Sequence, residues 1–308
     1  MNVRRCPLWA SAAAQVTRRL PAARYRAIGF LPSAAPFAAP FPADRRLQFI
    51  CDPADAISRE VFFAGSYEPQ LTLIARALLA AGDVVADVGA NWGYFTLLSA
   101  AMVGAGGRVL SLEPEPRSFA RLSAHVELNA LRQVSCHCAA ATARAGDASL
   151  QPYDAASGNR GTSRLVEASA PDAITVRGVA LDTVLDEAGL DGVSFVKIDV
   201  EGAEPSVLEG MSDGLRARRY RCLFIEWHPS STPAAAIADA ARRLHAAGYA
   251  AWAVDHSVAA TRRAAYRGSI GLAPAQVPVD GAWPHWLAVS RDAQQDALAA
   301  LGTVLPRE

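Results

Sequence analysis

The chain has 308 residues with 30 basic and 30 acidic side chains, so its formal net charge is zero. That length allows one large domain or two modest ones around a sizeable core. The charge balance argues against a broad nucleic-acid surface, and no long, strongly apolar run announces a membrane span. Five cysteines (Cys6, Cys51, Cys136, Cys138, Cys222) form no CxxC pair and leave an odd count, which disfavours a disulfide framework and points to a reducing, cytoplasmic setting.

The first sixty residues read as an N-terminal arm and connector, partly irregular, ahead of a domain over 61–308. Arg4, Arg5, Arg18, Arg19, Arg24 and Arg26 are scattered among Ala, Ser and Pro. Residues 31–42 (LPSAAPFAAPFP) predict an extended, proline-restricted connector. Residues 4–16 make a poor signal peptide, because Gln15 interrupts the apolar run and Arg18 and Arg19 follow it closely.

From residue 66 strand and helix signals alternate. Helical spacing at 69–81 stops at Gly82, and 83–88 (DVVADV) predicts a buried strand. A glycine-rich turn at 89–93 leads to a helix over about 94–103, a strand at 107–113, a helix at 116–129 and a strand at 133–140. Residues 141–180 are polar and loop-like, with short strand candidates near 148–150 and 174–177. A short helix at 181–188, a strand at 193–199, a helix at 205–218 opened by Pro205, and a strand at 221–226 follow. A helix at 233–247 and strands at 249–254 and 285–290 complete the pattern. Alternation of this kind predicts an α/β fold, a mostly parallel Rossmann-like sheet with helices on both faces. Ligands of such sheets sit at the carboxyl ends of the strands, near the point where strand order reverses.

Three segments at those ends carry chemistry. Asp87-Val88-Gly89-Ala90-Asn91-Trp92-Gly93 is a glycine turn of the kind that lets a ligand approach the backbone. A dinucleotide fingerprint needs a glycine where Asn91 stands, and Asp87 suits a cationic ligand better than a pyrophosphate. S-adenosylmethionine, with an ammonium and a sulfonium and no phosphate, fits both features. Glu113 ends the next strand, where an acid can accept from both ribose hydroxyls of a nucleoside. The third segment, 197–204 (KIDVEGAE), places Lys197 and Asp199 on one face of a strand. Asp199 there can hold a hydroxyl substrate or a cation, whereas Glu204 is expected to cap the next helix.

Residues 87–93, 113–116 and 197–204 resemble the signature motifs of the FkbM-type S-adenosylmethionine-dependent methyltransferases. The resemblance takes in DVGANWGYFTLLSA, EPEP after the second strand, HVELNAL at 125–131, LDTVL at 181–185 and KIDVEGAEPSVLEGM at 197–211, and spans about residues 60–290. Tyr67-Glu68-Pro69 and Asn159-Arg160-Gly161 also resemble family positions, while Trp92 stands where a small aliphatic residue is more usual. The resemblance implies a seven-stranded methyltransferase sheet, S-adenosyl-L-methionine as cofactor, and O-methylation of a sugar or another secondary metabolite. On it the cofactor residues are Glu68, Asp87, Gly89, Asn91, Gly93, Glu113 and Asp199.

Glu226-Trp227-His228-Pro229 follows a further strand, and His228 is expected to act with Asp199 in removing a hydroxyl proton. Zinc at Cys136-His137-Cys138 is not expected, since a strand turns the cysteines away from the histidine, and no other metal set is read. Trp252, Trp283 and Trp286 read as core, and acceptor loops are expected at 141–180 and 256–284. Adenine N-methylation is disfavoured because the strand before Val200 lacks the Pro-Pro-aromatic tetrapeptide of those enzymes. The remaining alternatives are an NAD-dependent oxidoreductase, which rests on Gly89, Gly93 and Glu113, and a non-catalytic nucleoside-binding module of the same fold.

Overall fold

The computed structural model describes residues 4–19, 35–154, 156, 158–276 and 284–305. Trp283, Arg24, Arg26 and the start of the predicted 31–42 connector lie outside the described residues. In chain order the strands are β1 (Arg4–Arg5), β2 (Phe37–Pro40), β3 (Gln48–Cys51), β4 (Val84–Val88), β5 (Arg108–Leu112), β6 (Val134–His137), β7 (Ala140–Ala141), β8 (Gly146–Gln151), β9 (Arg164–Val166), β10 (Ile174–Val179), β11 (Val193–Ile198), β12 (Tyr220–Glu226), β13 (Tyr249–Val254), β14 (Leu272–Pro274) and β15 (His285–Ser290).

The main sheet runs β14-β13-β15-β12-β11-β4-β5-β6. Strands β6, β5, β4, β11 and β12 pair in parallel, and β15 enters antiparallel between β12 and β13. The sheet therefore has eight strands, not the seven expected. The eighth, β14, forms because part of the presumed loop at 256–284 folds as a helix, Val258–Arg267, and a strand that pairs the otherwise open edge of β13. Strand order reverses at β4, which has β5 on one side and β11 on the other, so the crevice lies at their carboxyl ends. Side chains alternate across the sheet with period two. Cys222 and Phe224 of β12 enter one core, and Leu223 and Ile225 enter the core on the opposite face.

The predicted helix at 205–218 is two pieces, Glu204–Glu209 and Ser212–Arg216. Gly210, at the break, backs on to the Thr142 carbonyl, where any Cβ would stand 2.1 Å from the oxygen. The polar stretch 141–180 is built rather than loose: β7, β10, β8 and β9 form a four-stranded sheet.

Within the predicted connector, Phe37–Pro40 pairs antiparallel with β3, and β1 joins it in parallel. This small sheet is clamped by two side chains one helical turn apart on the helix Pro116–Leu128 and its C-cap. Asn129 Oδ1 accepts from the Gln48 N–H at 2.6 Å, and its Nδ2 donates to the Gln48 carbonyl at 2.7 Å. His125 Nε2 accepts from the Ile50 N–H at 2.8 Å, while Nδ1 lies 2.7 Å from the Trp92 carbonyl and donates to it. Burial holds the His125 ring at about 4, so it is neutral and this tautomer is fixed. Trp92 stacks on Phe49 at 6.0 Å. The large side chain at this position thus fills the space between the glycine turn and the N-terminal sheet. Among the described residues no helix is long and apolar enough to cross a membrane.

Candidate active site

A cleft of about 1080 Å³, including its open mouth, lies over the carboxyl ends of β4, β5, β11 and β12. Its walls include Glu68, Gly89, Asn91, Glu113, Asp199, Glu201 and Glu226. The 141–180 region adds Ala141, Leu150, Ser163 and Leu165, and Asn159, Arg160 and Gly161 also line the cleft, with Arg160 ion-paired to Asp52. None of the described residues of 256–284 reaches the cleft lining.

The floor is the turn after β4. Gly89 has φ +79°, and a Cβ there would stand 1.8 Å from the Asp199 carbonyl oxygen, so the β4 turn and the end of β11 can meet only through glycine. Asn91 has φ +50°, a left-handed conformation that asparagine tolerates and β-branched residues do not. Its Oδ1 is buried with no hydrogen-bond partner, although the residue lines the cleft. Such an orphaned acceptor is a place for a ligand donor.

Glu113 is 6% exposed. Its Oε2 accepts from the Asn91 N–H at 2.7 Å and its Oε1 from the Glu115 N–H at 2.8 Å. Burial outweighs these bonds and pushes the carboxyl up to about 7. Two expected cofactor residues stand behind the cleft rather than in its lining. Asp87 is fully buried, accepts from Thr96 Oγ1 at 2.6 Å and lies 3.9 Å from Lys197 Nζ. Gly93, with φ +96°, packs against Leu122 at the start of the helix Tyr94–Val103. Burial raises the Asp87 carboxyl, against the pull of Lys197.

Lys197 Nζ donates to the Gly89 carbonyl at 3.0 Å and ion-pairs with Asp199 Oδ2 at 3.0 Å. Burial alone would lower this ammonium, yet Asp199, Asp87 and Glu68 hold it charged. Burial alone would raise Asp199, yet Lys197 and His228 together hold it below the usual carboxylate range. Glu68 precedes Pro69 in a left-handed conformation, with φ +42°. Burial and the neighbouring Glu226 push its carboxyl up.

His228 does not line the cleft; it lies behind a ring of acids. Nδ1 bonds Glu204 Oε1 at 2.8 Å. Nε2 faces Glu201 Oε2 at 3.5 Å, Glu226 Oε1 at 3.8 Å and Asp199 Oδ1 at 3.9 Å. Burial would lower the ring, but the Glu204 bond and the surrounding charges raise it to about 9. At neutral pH it therefore carries a proton already, unlike the free base that the sequence suggests. Glu204 is no helix cap. It is fully buried, and its carboxylate accepts from the Gly202 N–H at 2.9 Å and from Thr232 Oγ1 at 3.2 Å. Glu226 and Glu201, which sequence reasoning passed over as site residues, both face the cleft. The position of Glu226 at the end of a strand was the available signal. Burial raises both, with Glu201 reaching about 7.

The family model described as "Methyltransferase FkbM domain" matches residues 87–250. Hexuronic acid methyltransferase AglP of Haloferax volcanii is 26% identical over 151 residues, 49% of this chain and 58% of that protein, so the match spans less than two thirds of the relative. Among solved structures, the methyltransferase FkbM from Methylobacillus flagellatus aligns over 90% of this chain and 60% of its own, at 15% identity and a TM-score of 0.42. The fibrillarin of Aeropyrum pernix, solved with S-adenosyl-L-methionine natively bound, aligns over 71% and 73%, at 13% identity and a TM-score of 0.39. The family match covers more than half of the chain and takes in the glycine turn, Glu113 and the acidic cluster, and the protein belongs to the FkbM methyltransferase family.

Proposed function

We propose that the chain transfers a methyl group from S-adenosylmethionine to a hydroxyl oxygen of a sugar or glycoconjugate. One observation carries this reading: carboxylates at the ends of three strands, Glu113 after β5, Asp199 after β11 and Glu226 closing β12, open on one cleft. A cleft so rich in acids suits a ligand with two cationic centres and repels phosphates. The unpaired Asn91 Oδ1 offers a further acceptor. Glu113 would hold the ribose, the Gly89–Asn91 backbone would pack against the nucleoside, and Glu68 and Asp199 would face the cationic end. Asp87, through Thr96 and Lys197, stiffens the turn from behind. The cofactor when bound supplies an electrophilic methyl carbon on a sulfonium.

The protein's own contribution is alignment and proton removal. Asp199 is held by Lys197 and Glu226 stands 3.0 Å from His285 Nε2, so each has one oxygen engaged and one available to orient an acceptor hydroxyl. Glu201 Oε2 faces His228 Nε2 at 3.5 Å rather than Lys197 or His285, and Glu201 is the proton acceptor this arrangement favours. The protonated His228 keeps the three carboxylates together. The Haloferax relative is a hexuronic acid methyltransferase, which supports an oxygen-rich acceptor.

The reading is tested with methyl-labelled S-adenosylmethionine and a panel of uronic acids and neutral sugars. Label in an alkali-stable ether supports it. Label released by mild alkali would mean carboxyl esterification instead. Calorimetric binding of NAD in place of S-adenosylhomocysteine would replace methyl transfer with hydride transfer.

A further inference from the structure

We propose that Asp199, Glu226 and His228 form a binding site for one divalent cation at the β11–β12 end of the cleft. One donor atom from each of the three lies within 4.8 Å of the others. His228 Nε2 stands 3.9 Å from Asp199 Oδ1 and 3.8 Å from Glu226 Oε1. Those separations are too long for hydrogen bonds. They match donors that share an ion, since bonds of about 2.0–2.2 Å put neighbouring ligand atoms roughly 3–4 Å apart.

Each of the three side chains is also anchored through its other atom. Asp199 gives Oδ2 to Lys197 at 3.0 Å, which leaves Oδ1 toward the ring. Glu226 has Oε2 3.0 Å from His285 Nε2, which leaves Oε1 toward the ring. His228 gives Nδ1 to the fully buried Glu204, which leaves Nε2 toward both carboxylates, and a bound ion would take the place of the proton that Nε2 carries in the ion-free cluster, releasing it to solvent. A histidine held on one nitrogen by a buried carboxylate, with its other nitrogen facing further donors, is the arrangement that orients metal-binding imidazoles. Glu204 is in turn held by Thr232 and the Gly202 N–H, so the support extends two layers deep.

Two carboxylates and one imidazole suit Mn²⁺ best. Mg²⁺ keeps its waters and takes oxygen ligands, and Zn²⁺ prefers sites richer in nitrogen and sulfur. Asp199 and Glu226 line the cleft, so the open coordination positions of a bound ion would face it. Glu113 lies three strand spacings away across β4 and β11, roughly 14 Å, about a nucleoside's length. The ion would therefore meet an acceptor's oxygens without competing for the ribose. The site rests on donor geometry and does not depend on which acceptor is methylated.

The test is titration of the chelator-treated full chain with Mn²⁺, read by loss of the free-ion paramagnetic resonance signal, beside calorimetric titration with S-adenosylhomocysteine. One saturable Mn²⁺ per chain is expected, weakened at least tenfold in Asp199→Asn and in Glu226→Gln, and unchanged in Asp239→Asn on the surface. His228→Ala should abolish it; where that variant fails to fold, the two carboxylate variants decide. No saturable Mn²⁺ binding, or binding that survives both carboxylate variants, overturns the proposal and leaves a protonated His228 as the cation of the cluster. A chain that binds S-adenosylhomocysteine but no Mn²⁺ loses only the ion. One that binds Mn²⁺ but no S-adenosylhomocysteine keeps the ion and loses the cofactor assignment.

Discussion

Replacing Glu113 by alanine separates a cofactor role from a structural one, because the carboxylate does two measurable things. It accepts one backbone N–H on each oxygen, from Asn91 at 2.7 Å and Glu115 at 2.8 Å. It also presents the remaining lone pairs to the cleft. Charge-assisted hydrogen bonds are worth about 1.5–3 kcal/mol each. Loss of even one ribose contact should therefore raise the dissociation constant of S-adenosylhomocysteine at least tenfold, since about 1.4 kcal/mol is one factor of ten. The two abandoned N–H groups cost about 1–3 kcal/mol each if they stay dry. Water entering the vacated space offsets part of this, so a net loss of about 2 kcal/mol and a Tm lower by several degrees are expected. The assay is calorimetric titration beside thermal unfolding with and without ligand. Saturating ligand should stabilise the parent protein by about 2.7 kcal/mol at a hundredfold excess over Kd, and markedly less in the variant at the same concentration. If Glu113→Ala proves too unstable, Glu113→Gln keeps one acceptor oxygen and should show a smaller loss of the same kind. Unchanged affinity in a folded variant would refute the ribose assignment.

Further outcomes follow from the same geometry. Ribose hydroxyls donate to an ionised Glu113, whose carboxyl burial raises to about 7, so affinity for S-adenosylhomocysteine should be full above that value and fall by up to tenfold per unit below it. The ligand-free fold changes in the opposite sense: a raised acid contributes its full stability below the ordinary carboxylate range and loses it as pH rises through about 7. A flat calorimetric profile between pH 5.5 and 8.5 would remove Glu113 from the site. Gly89→Ala should cost more than about 3 kcal/mol or prevent folding, because its Cβ would stand 1.8 Å from the Asp199 carbonyl and its φ is +79°; a normal denaturation midpoint would contradict the close approach. Asn91→Gly keeps the turn but removes the Oδ1 acceptor and should weaken cofactor binding by up to about tenfold, whereas Asn91→Val, forced to φ +50°, should lose binding with a Tm change of only a few degrees. Glu201→Gln should lower turnover by about 10²–10⁴-fold with little change in S-adenosylhomocysteine affinity, and equal losses in both would make Glu201 a binding residue.

What could be read from the sequence is what local chemistry decides. The strand and helix alternation from β4 to β13 follows from side-chain periodicity within each segment. Gly89 and Glu113 were visible because a glycine at a strand-to-helix turn and an acid at the next strand end have fixed places in this topology. Sequence alone left out whatever depends on distant partners. The segment around Phe37–Pro40 reads as a connector, and only Asn129 and His125, more than seventy residues on, show it as part of a clamped sheet. The helix after β11 breaks at Gly210, where the Thr142 carbonyl from a distant segment leaves no room for a side chain, and the eighth strand exists because the edge of β13 offers it unpaired backbone groups. His228 is the clearest case. Its intrinsic chemistry makes it a base near neutral pH, but four carboxylates from Asp199, Glu201, Glu204 and Glu226 surround it and keep it charged. The sequence determines which side chains are present and which ends of the strands they occupy. Their protonation is set by a field that falls off over a few ångströms, and only the folded chain brings those charges that close.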